Sequence, residues 1–305
     1  MMKLFDIINI PLGYVLRFFA EIMDGNFAFA VFLFTLLIDL VLIPLNIKSQ
    51  KSAVQQMRMK PKLDEIKKKY GDDRQKFAEA QQKLYQSEGA SVSGGCLPMI
   101  IRLVLLMSIY NLIMRPLTYL MRIDSGVINA AAKVIGNDAR GGELQIISAV
   151  ENGTYKSAEI SEALKNIDFT LFGKINLTQT PEFSFNIFKD FQLIWLIPIC
   201  AFLAQILTGL VSSWINKRNN PDAPSMMGMM LMMPVVSLFI GFKLPGGVGF
   251  YWICSSLIGG FIQSAVQLIY GPHKLLARER AKEILKQNDF EKKQLEKFKN
   301  PTVEG

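Results

Sequence analysis

Apolar residues along this chain are gathered into five long runs separated by charged stretches. The runs cover 27–47, 95–121, 191–215, 226–243 and 248–270. A helix rising 1.5 Å per residue needs about 20 apolar residues to cross a hydrocarbon core of roughly 30 Å, and the buried helices of soluble proteins need fewer. The pattern therefore predicts an all-α integral membrane protein with five transmembrane helices.

The stretches between the runs carry their own periodicities. In 1–26, Lys3, Asp6 and the Asn9-Ile10-Pro11-Leu12-Gly13 break do not make the apolar centre of a cleavable signal. After Pro11, Leu12, Val15, Leu16, Phe19, Ile22 and Met23 recur at helical spacing, with Arg17, Glu21 and Asp24 off the stripe. A short amphipathic helix lying in the outer membrane interface is expected there. In 48–94, Val54, Met57, Leu63, Ile66 and Tyr70 mark one helix; Gly71 stops it, Asp72 caps a second, and that one runs through Phe77 and Leu84. So polar a hairpin buries little of itself and is expected to stand at the membrane surface, open to a partner. The Gly- and Ser-rich 91–95 reads as a hinge. The segment 122–190 is too long for a turn: a small helix is expected over 158–167 and irregular chain over 181–188. A short link occupies 216–225. Pro245-Gly246-Gly247, within 244–247, makes a tight turn that sets the last two spans antiparallel. The tail 271–305 reads as a charged helix fraying at Asn300-Pro301.

Charge then orients the spans. Segment 48–88 holds 11 Lys or Arg against 6 Asp or Glu, and the tail holds 9 against 6. Lys217 and Arg218 sit in the short link. On the opposite side 122–190 holds 7 basic and 9 acidic residues, and the first 26 residues hold 2 and 3. By the positive-inside rule the N-terminus is outside and the C-terminus cytoplasmic. This asymmetry accounts for the net charge of +8 as well as a nucleic-acid contact would.

Two charges inside the runs call for a reason, because a charge at the bilayer centre costs about 2.5–3.5 kcal/mol even on a lenient scale. Asp39 lies roughly 12 Å from the cytoplasmic end of the first run and Arg102 roughly 10 Å from that of the second, by helical rise. They form either a buried ion pair fastening the two helices or the wall of a water-containing groove open to the cytoplasm, and a pair lining a groove does both. Gln205, Thr208, Ser212 and Ser213 in the third run, with Gln263, Ser264 and Gln267 in the fifth, favour a wet interior; each alone serves equally as interhelical glue. The fourth run begins Met226-Met227-Gly228-Met229-Met230-Leu231-Met232-Met233, which is either ordinary span or a soft thioether surface for varied apolar partners.

No P-loop, GxSxG, HExxH or CxxC occurs, His273 is the sole histidine, and Gly246-Gly247-Val248-Gly249 joins two apolar runs instead of opening a strand–helix unit. Cys96, Cys200 and Cys254 read as packing residues. Neither an enzyme nor a cofactor or metal site is expected.

Ile43-Pro44-Leu45-Asn46-Ile47-Lys48-Ser49-Gln50, then Met57-Arg58-Met59-Lys60-Pro61-Lys62-Leu63-Asp64-Glu65-Ile66-Lys67-Lys68-Lys69-Tyr70, resemble the YidC family of membrane protein insertases. So do Lys83-Leu84-Tyr85, Gly94-Gly95-Cys96-Leu97-Pro98, Leu244-Pro245-Gly246-Gly247 and Tyr251-Trp252, in the family's order and spacing. The likeness covers all but the outer loop and distal tail, and is to the short bacterial form without a large extracytoplasmic domain. It implies a plasma-membrane insertase and chaperone whose hydrophilic groove, closed outside, receives client helices. Asp39, Arg102, Gln205, Thr208, Ser212, Gln263 and Gln267 would line the groove, and Met226, Met229, Met230 and Met233 would form the sliding surface. Implied partners are nascent membrane proteins, the bilayer, the ribosome, targeting factors and the general secretory channel. Lys67, Lys68 and Lys69, or Lys292, Lys293, Lys297 and Lys299, could meet ribosomal RNA phosphates; a solvated charged helix is the plainer reading of the tail. One departure stands out. The family usually has an arginine where this chain has Asp39 and an uncharged polar residue where it has Arg102, so the positive charge is expected to have moved from the first span to the second. A small-solute or ion transporter, and a membrane scaffold without insertion activity, are the competing readings; the hairpin and the lack of repeats argue against the transporter.

Overall fold

The computed structural model describes residues 2–88, 97–136, 142–181, 191–219 and 227–299. It is mostly helical and divides into two compact units. The first comprises Met1–Ile43, Met99–Trp214 and Pro224–Ser264; the second comprises Pro44–Pro98, Ile215–Ala223 and Ala265–Gly305.

In the first unit α1 (Met2–Ile22) runs straight through Pro11. This corrects the expected break at 9–13 and a helix beginning only after Pro11. An internal proline costs an isolated helix about 3 kcal/mol, and tertiary contacts on either side of Pro11 offset it. Asn9, 1 % exposed, donates from Nδ2 to the Tyr119 hydroxyl (3.2 Å), which donates in turn to Asp6 (2.8 Å). One turn on, Gly13 lies so close to the Tyr119 backbone that a Cβ would stand 2.6 Å from its carbonyl oxygen. Of the apolar stripe, Leu16 is buried and Leu12, Val15 and Phe19 pack against the core, whereas Ile22 is exposed. Arg17 and Glu21 pair on the surface at 2.8 Å.

A tight turn follows, with Asp24 and Gly25 both at positive φ. Gly25 is required: a Cβ there would stand 2.2 Å from the Asn166 carbonyl oxygen. Asn26 then caps α2 (Phe27–Val41), accepting from the Phe29 N–H at 3.0 Å. One face of α2, with Phe27, Ala30, Val31 and Phe34, is buried; Phe29, Phe32, Leu37 and Leu40 are exposed. Such an apolar exterior is the reverse of a water-soluble surface and fits contact with lipid.

α5 (Leu97–Met114) stops before Pro116, and a π-helical turn (Leu117–Met121) leads to Arg122, whose guanidinium lies 3.6 Å above the Tyr14 ring. The segment 122–190, expected outside, proves more ordered over its described residues than its composition suggested. It holds α6 (Ser125–Ile135), α7 (Glu143–Glu151), the expected helix as α8 (Ala158–Leu164), and a two-stranded hairpin of β1 (Thr170–Leu171) and β2 (Ile175–Asn176). The hairpin departs from an all-helical expectation. It is stitched to the start of α2, with the Phe27 N–H on the Asp168 carbonyl (3.0 Å), the Asp168 N–H on that of Gly25 (2.8 Å), and the Phe27 and Phe169 rings 4.8 Å apart. At its tip Phe172 has φ 52°, a left-handed conformation that costs a non-glycine residue about 1–2 kcal/mol. Residues 182–190, which include most of the expected irregular stretch, lie outside the described residues.

α9 (Leu196–Asn219), α10 (Met227–Gly241) and α11 (Gly246–Tyr270) complete the helices of this unit, α9 and α11 running on into the second. The Gly246 and Gly247 N–H groups reach the Gln179 and Leu177 carbonyls, both at 2.8 Å, tying the α10–α11 turn to the outer segment. Leu193–Arg218 and Gly246–Tyr270 are each long and apolar enough to cross a membrane; Phe27–Val41 with Ile43–Ser52, broken at Leu42, reaches that length as a pair. The expected spans 95–121 and 226–243 begin among residues outside the description.

In the second unit α3 (Ile43–Tyr70) and α4 (Arg74–Ser87) form the helical hairpin. The cap of α4 is Asp73 and not Asp72: its Oδ1 accepts from the Gln75 and Lys76 N–H groups at 3.2 and 3.1 Å. Gly71 and Asp72 both go into the turn, which displaces the cap by one residue. Leu63, Ile66, Tyr70, Phe77 and Leu84 are half-buried, and an ion pair joins Lys62 to Glu88. α12 (Pro272–Lys299) follows α11, and Lys274 donates to the Leu268 carbonyl at 2.6 Å across the junction.

Glu143, 2 % exposed, is the charge that sequence reading overlooked. Its carboxylate accepts the Thr118 N–H (3.0 Å) and hydroxyl (2.5 Å), fixing α7 to the π-helical turn. Burial pushes this carboxyl above its ordinary 4.5, against the lowering pull of the Thr118 hydrogen bonds. The fold thus favours the protonated acid, and Glu143 contributes most below its unfolded pKa and loses that contribution as pH rises through its folded value. Thermal unfolding followed from 4.5 toward neutrality should therefore fall more steeply for wild type than for Glu143→Gln; parallel profiles would refute it. Glu143→Ala, which strands a buried N–H, should cost about 1–3 kcal/mol.

Candidate functional site

Within the first unit the helices leave a cavity of about 730 Å³. α9 contributes Gln205, Thr208, Gly209 and Ser212, spaced i, i+3, i+4 and i+7, which places them on one face. α11 contributes Tyr251, Ser255, Gly259 and Gln263 at successive four-residue steps, with Ser256 and Gly260 beside them. Ile38, Asp39 and Leu42 come from α2, and Leu105, Leu106 and Ile109 from α5. Met233 and Pro234 of α10 complete the lining. Among these residues Asp39 carries the one charge.

Two glycines shape the wall. A Cβ on Gly259 would stand 3.4–3.7 Å from the Asp39 carboxyl group, an ordinary contact distance, so the acid lies beside the α11 backbone with room between them for a methyl and for nothing larger. A Cβ on Gly260 would stand 2.5 Å from the Thr208 methyl, so α9 and α11 approach there more closely than any side chain permits. Thr208 donates to its own helix at the Ala204 carbonyl (2.8 Å). Ser237 of α10 donates to Gln205 Oε1 (2.9 Å), linking α10 to α9 beside the cavity. Polar side chains thus border a space large enough for water inside an otherwise apolar bundle. Nothing in the lining pairs a nucleophile with a base.

Asp39, Gln205, Thr208, Ser212, Gln263 and Met233 thus come together around one cavity. Gln267, one turn beyond Gln263, belongs to the second unit and is 6 % exposed. Arg102 is on α5, but its side chain lies outside the described residues, as do Met226 and the side chains of Met229 and Met230. Lys67, Lys68 and Lys69 are exposed in the last turn of α3, where positive charge complements the helix dipole. Lys292 is exposed on α12, while the side chains of Lys293 and Lys297 lie outside the description. Sequence reading missed Ser255, Ser256, Gly259 and Gly260, although Tyr251, Ser255, Gly259 and Gln263 form a visible four-residue period of polar and small residues.

Alanine at these glycines should separate shape from packing. Gly259→Ala meets ordinary contact distances and should leave thermal stability nearly unchanged. Gly260→Ala forces α9 and α11 apart and should destabilise by about 1–3 kcal/mol. Equal melting temperatures for the two variants would contradict the close approach.

Comparison with known proteins supplies the context. Over 291 residues, 94 % of this chain and 78 % of the relative, the chain is 25 % identical to the membrane protein insertase YidC 2 of Listeria innocua. It is 26 % identical over 259 residues to the membrane protein insertase YidC of Nitratidesulfovibrio vulgaris, covering 83 % of this chain but 37 % of that protein's length. The insertase YidC of Fusobacterium nucleatum is 24 % identical over 234 residues, 77 % of this chain and 82 % of the relative. The family model described as 60Kd inner membrane protein matches residues 18–271. This chain is a bacterial membrane protein that belongs to the 60Kd inner membrane protein family.

Proposed function

We propose that this protein is a membrane protein insertase and chaperone without covalent catalysis, whose cavity receives client segments and releases them into the bilayer. The carrying observation is the cavity itself: Asp39, Gln205, Thr208, Ser212 and Gln263 face one space in a bundle whose outer faces are apolar. A polar or hydrated wall lowers the cost of drawing the short polar flank of a client helix into the hydrocarbon region. Met233, 69 % exposed at the cavity, offers an adaptable apolar contact for the client helix. Relatives called insertases support this reading.

In this proposal the chain crosses the membrane five times with its N-terminus outside and C-terminus inside, the arrangement that charge asymmetry favours. The α3–α4 hairpin and α12 then lie in the cytoplasm, where Lys67–Lys69 and the tail lysines meet the ribosome or targeting factors. Clients are nascent membrane proteins, and the general secretory channel is a further partner. Arg102 supplies the positive charge of the groove with Asp39 as its counter-ion, which re-aims the attraction for acidic client segments.

Insertion of a short single-span, N-out client into proteoliposomes tests the reading. Wild type and Gly259→Ala should insert the client, while Gly259→Leu, which fills the cavity beside Asp39, should fall to the level of empty liposomes while remaining folded. Wild-type yield from Gly259→Leu would sink the groove. Asp39→Arg places like charges together and should reduce folded protein or insertion; normal level and activity would reject the relocated pair.

A further inference from the structure

A second, smaller cavity lies at the other end of α2. It encloses about 280 Å³ and is lined by Ala28, Phe29, Phe32, Leu171, Phe172 and Phe250 together with Asn26. The Asn26 side-chain carbonyl already accepts the Phe29 N–H, so four aromatic rings and two aliphatic side chains dominate the space. Unlike the larger cavity, this lining holds neither a carboxyl nor a hydroxyl group.

Phe172 is the most informative residue of the slot. It is 81 % exposed, at the tip of the β1–β2 hairpin, in a left-handed backbone conformation that glycine would adopt freely. Gly173 follows it at φ 67°, so the tip is a turn of two left-handed residues, one of them a phenylalanine. A bulky aromatic ring thus stands exposed there against backbone preference, on a hairpin tied to Gly25 and Phe27.

The identity of an occupant follows from what adjoins the slot. Phe29 and Phe32 are 53 % and 39 % exposed, and the same face of α2 continues through Leu36 to Leu40 at helical spacing. In a membrane protein lipid is the natural cover for such an apolar face. Phe29 and Phe32 belong both to this ridge and to the slot lining, so an acyl chain lying along α2 would reach the slot. Lys174, two residues past the tip, is exposed, and a lysine beside an apolar slot can lay its methylenes on apolar groups while its ammonium reaches a polar headgroup.

We propose that the slot is a lipid site: it takes the acyl chain of a membrane lipid lying along Phe29 and Phe32, and Phe172 closes over that chain as a wedge. The outer segment is thereby anchored in the bilayer through its hairpin as well as through its helices. This goes beyond the insertase reading and does not depend on it.

Two reporter variants, Phe172→Trp at the tip and Phe250→Trp on the inner wall, test the site in client-free proteoliposomes. Fluorescence is compared with wild type, whose three tryptophans supply the background. Lipids brominated along the acyl chain should quench both added indoles several-fold more strongly than aqueous iodide does. Quenching of the Phe172→Trp indole by iodide and not by bromolipid would place the tip in water and overturn the site. Protection of both indoles from both quenchers would mean that protein covers the slot, and would equally overturn it. So would bromolipid quenching that a hydrophobic client peptide displaces, since the slot would then be a peptide site. A Phe172→Gly variant, which keeps the turn and removes the wedge, should fold normally and weaken bromolipid quenching at the Phe250→Trp reporter; undiminished quenching would remove Phe172 from the site.

Discussion

Hydrocarbon supplies no hydrogen bonds, so every polar group in a bundle like this must find its partner inside the bundle. A polar cavity among such helices is therefore expensive to build. The first unit meets the cost at one end, where Phe27, Phe34, Leu112, Ile113, Leu120 and Ile147 pack into a continuous apolar core with the outer helices. That core draws on α1, α2, α5 and α11 and reaches the cavity wall at Ile109 and Tyr251. Of the hydroxyls at and beside the cavity, Thr208 bonds back to its own helix and Ser237 joins α10 to α9 through Gln205.

Glycine is the second device. At Gly260 its absent side chain brings two helices together; at Gly259 it leaves open the space beside the Asp39 carboxyl group. Neighbouring positions thus differ, one closing the bundle and the other keeping the cavity wall low. Shape here is set by what is missing as much as by which polar groups are present.

Much of this was legible from residues, and the misses have physical causes. Asp39 drew notice because a charge in an apolar run needs a reason, either an ion pair or a polar space. Gln205, Thr208, Ser212 and Gln263 stood open between interhelical bonding and a wet interior until the structure set them around one cavity. Gly259 carries no such signal, because glycine is common in membrane helices for several reasons. Pro11 misled because proline preferences describe an isolated helix, whereas Asn9 and Gly13 are gripped by Tyr119. The outer segment was opaque because its order rests on non-local bonds: Glu143 is buried only because Thr118 waits for it, and no period within α7 reveals a partner on another element.

The bonds from Gly246 and Gly247 to the Gln179 and Leu177 carbonyls impose a sequence of events. These acceptors leave the ribosome long before their donors, which arrive only with the turn before the last long apolar helix. Until then those two carbonyls have to find water or another donor. A chain cut short before α11 would carry α6, α7, α8 and the β-hairpin and still lack this seam. Closure of the seam is in this sense a record that synthesis has passed Gly247.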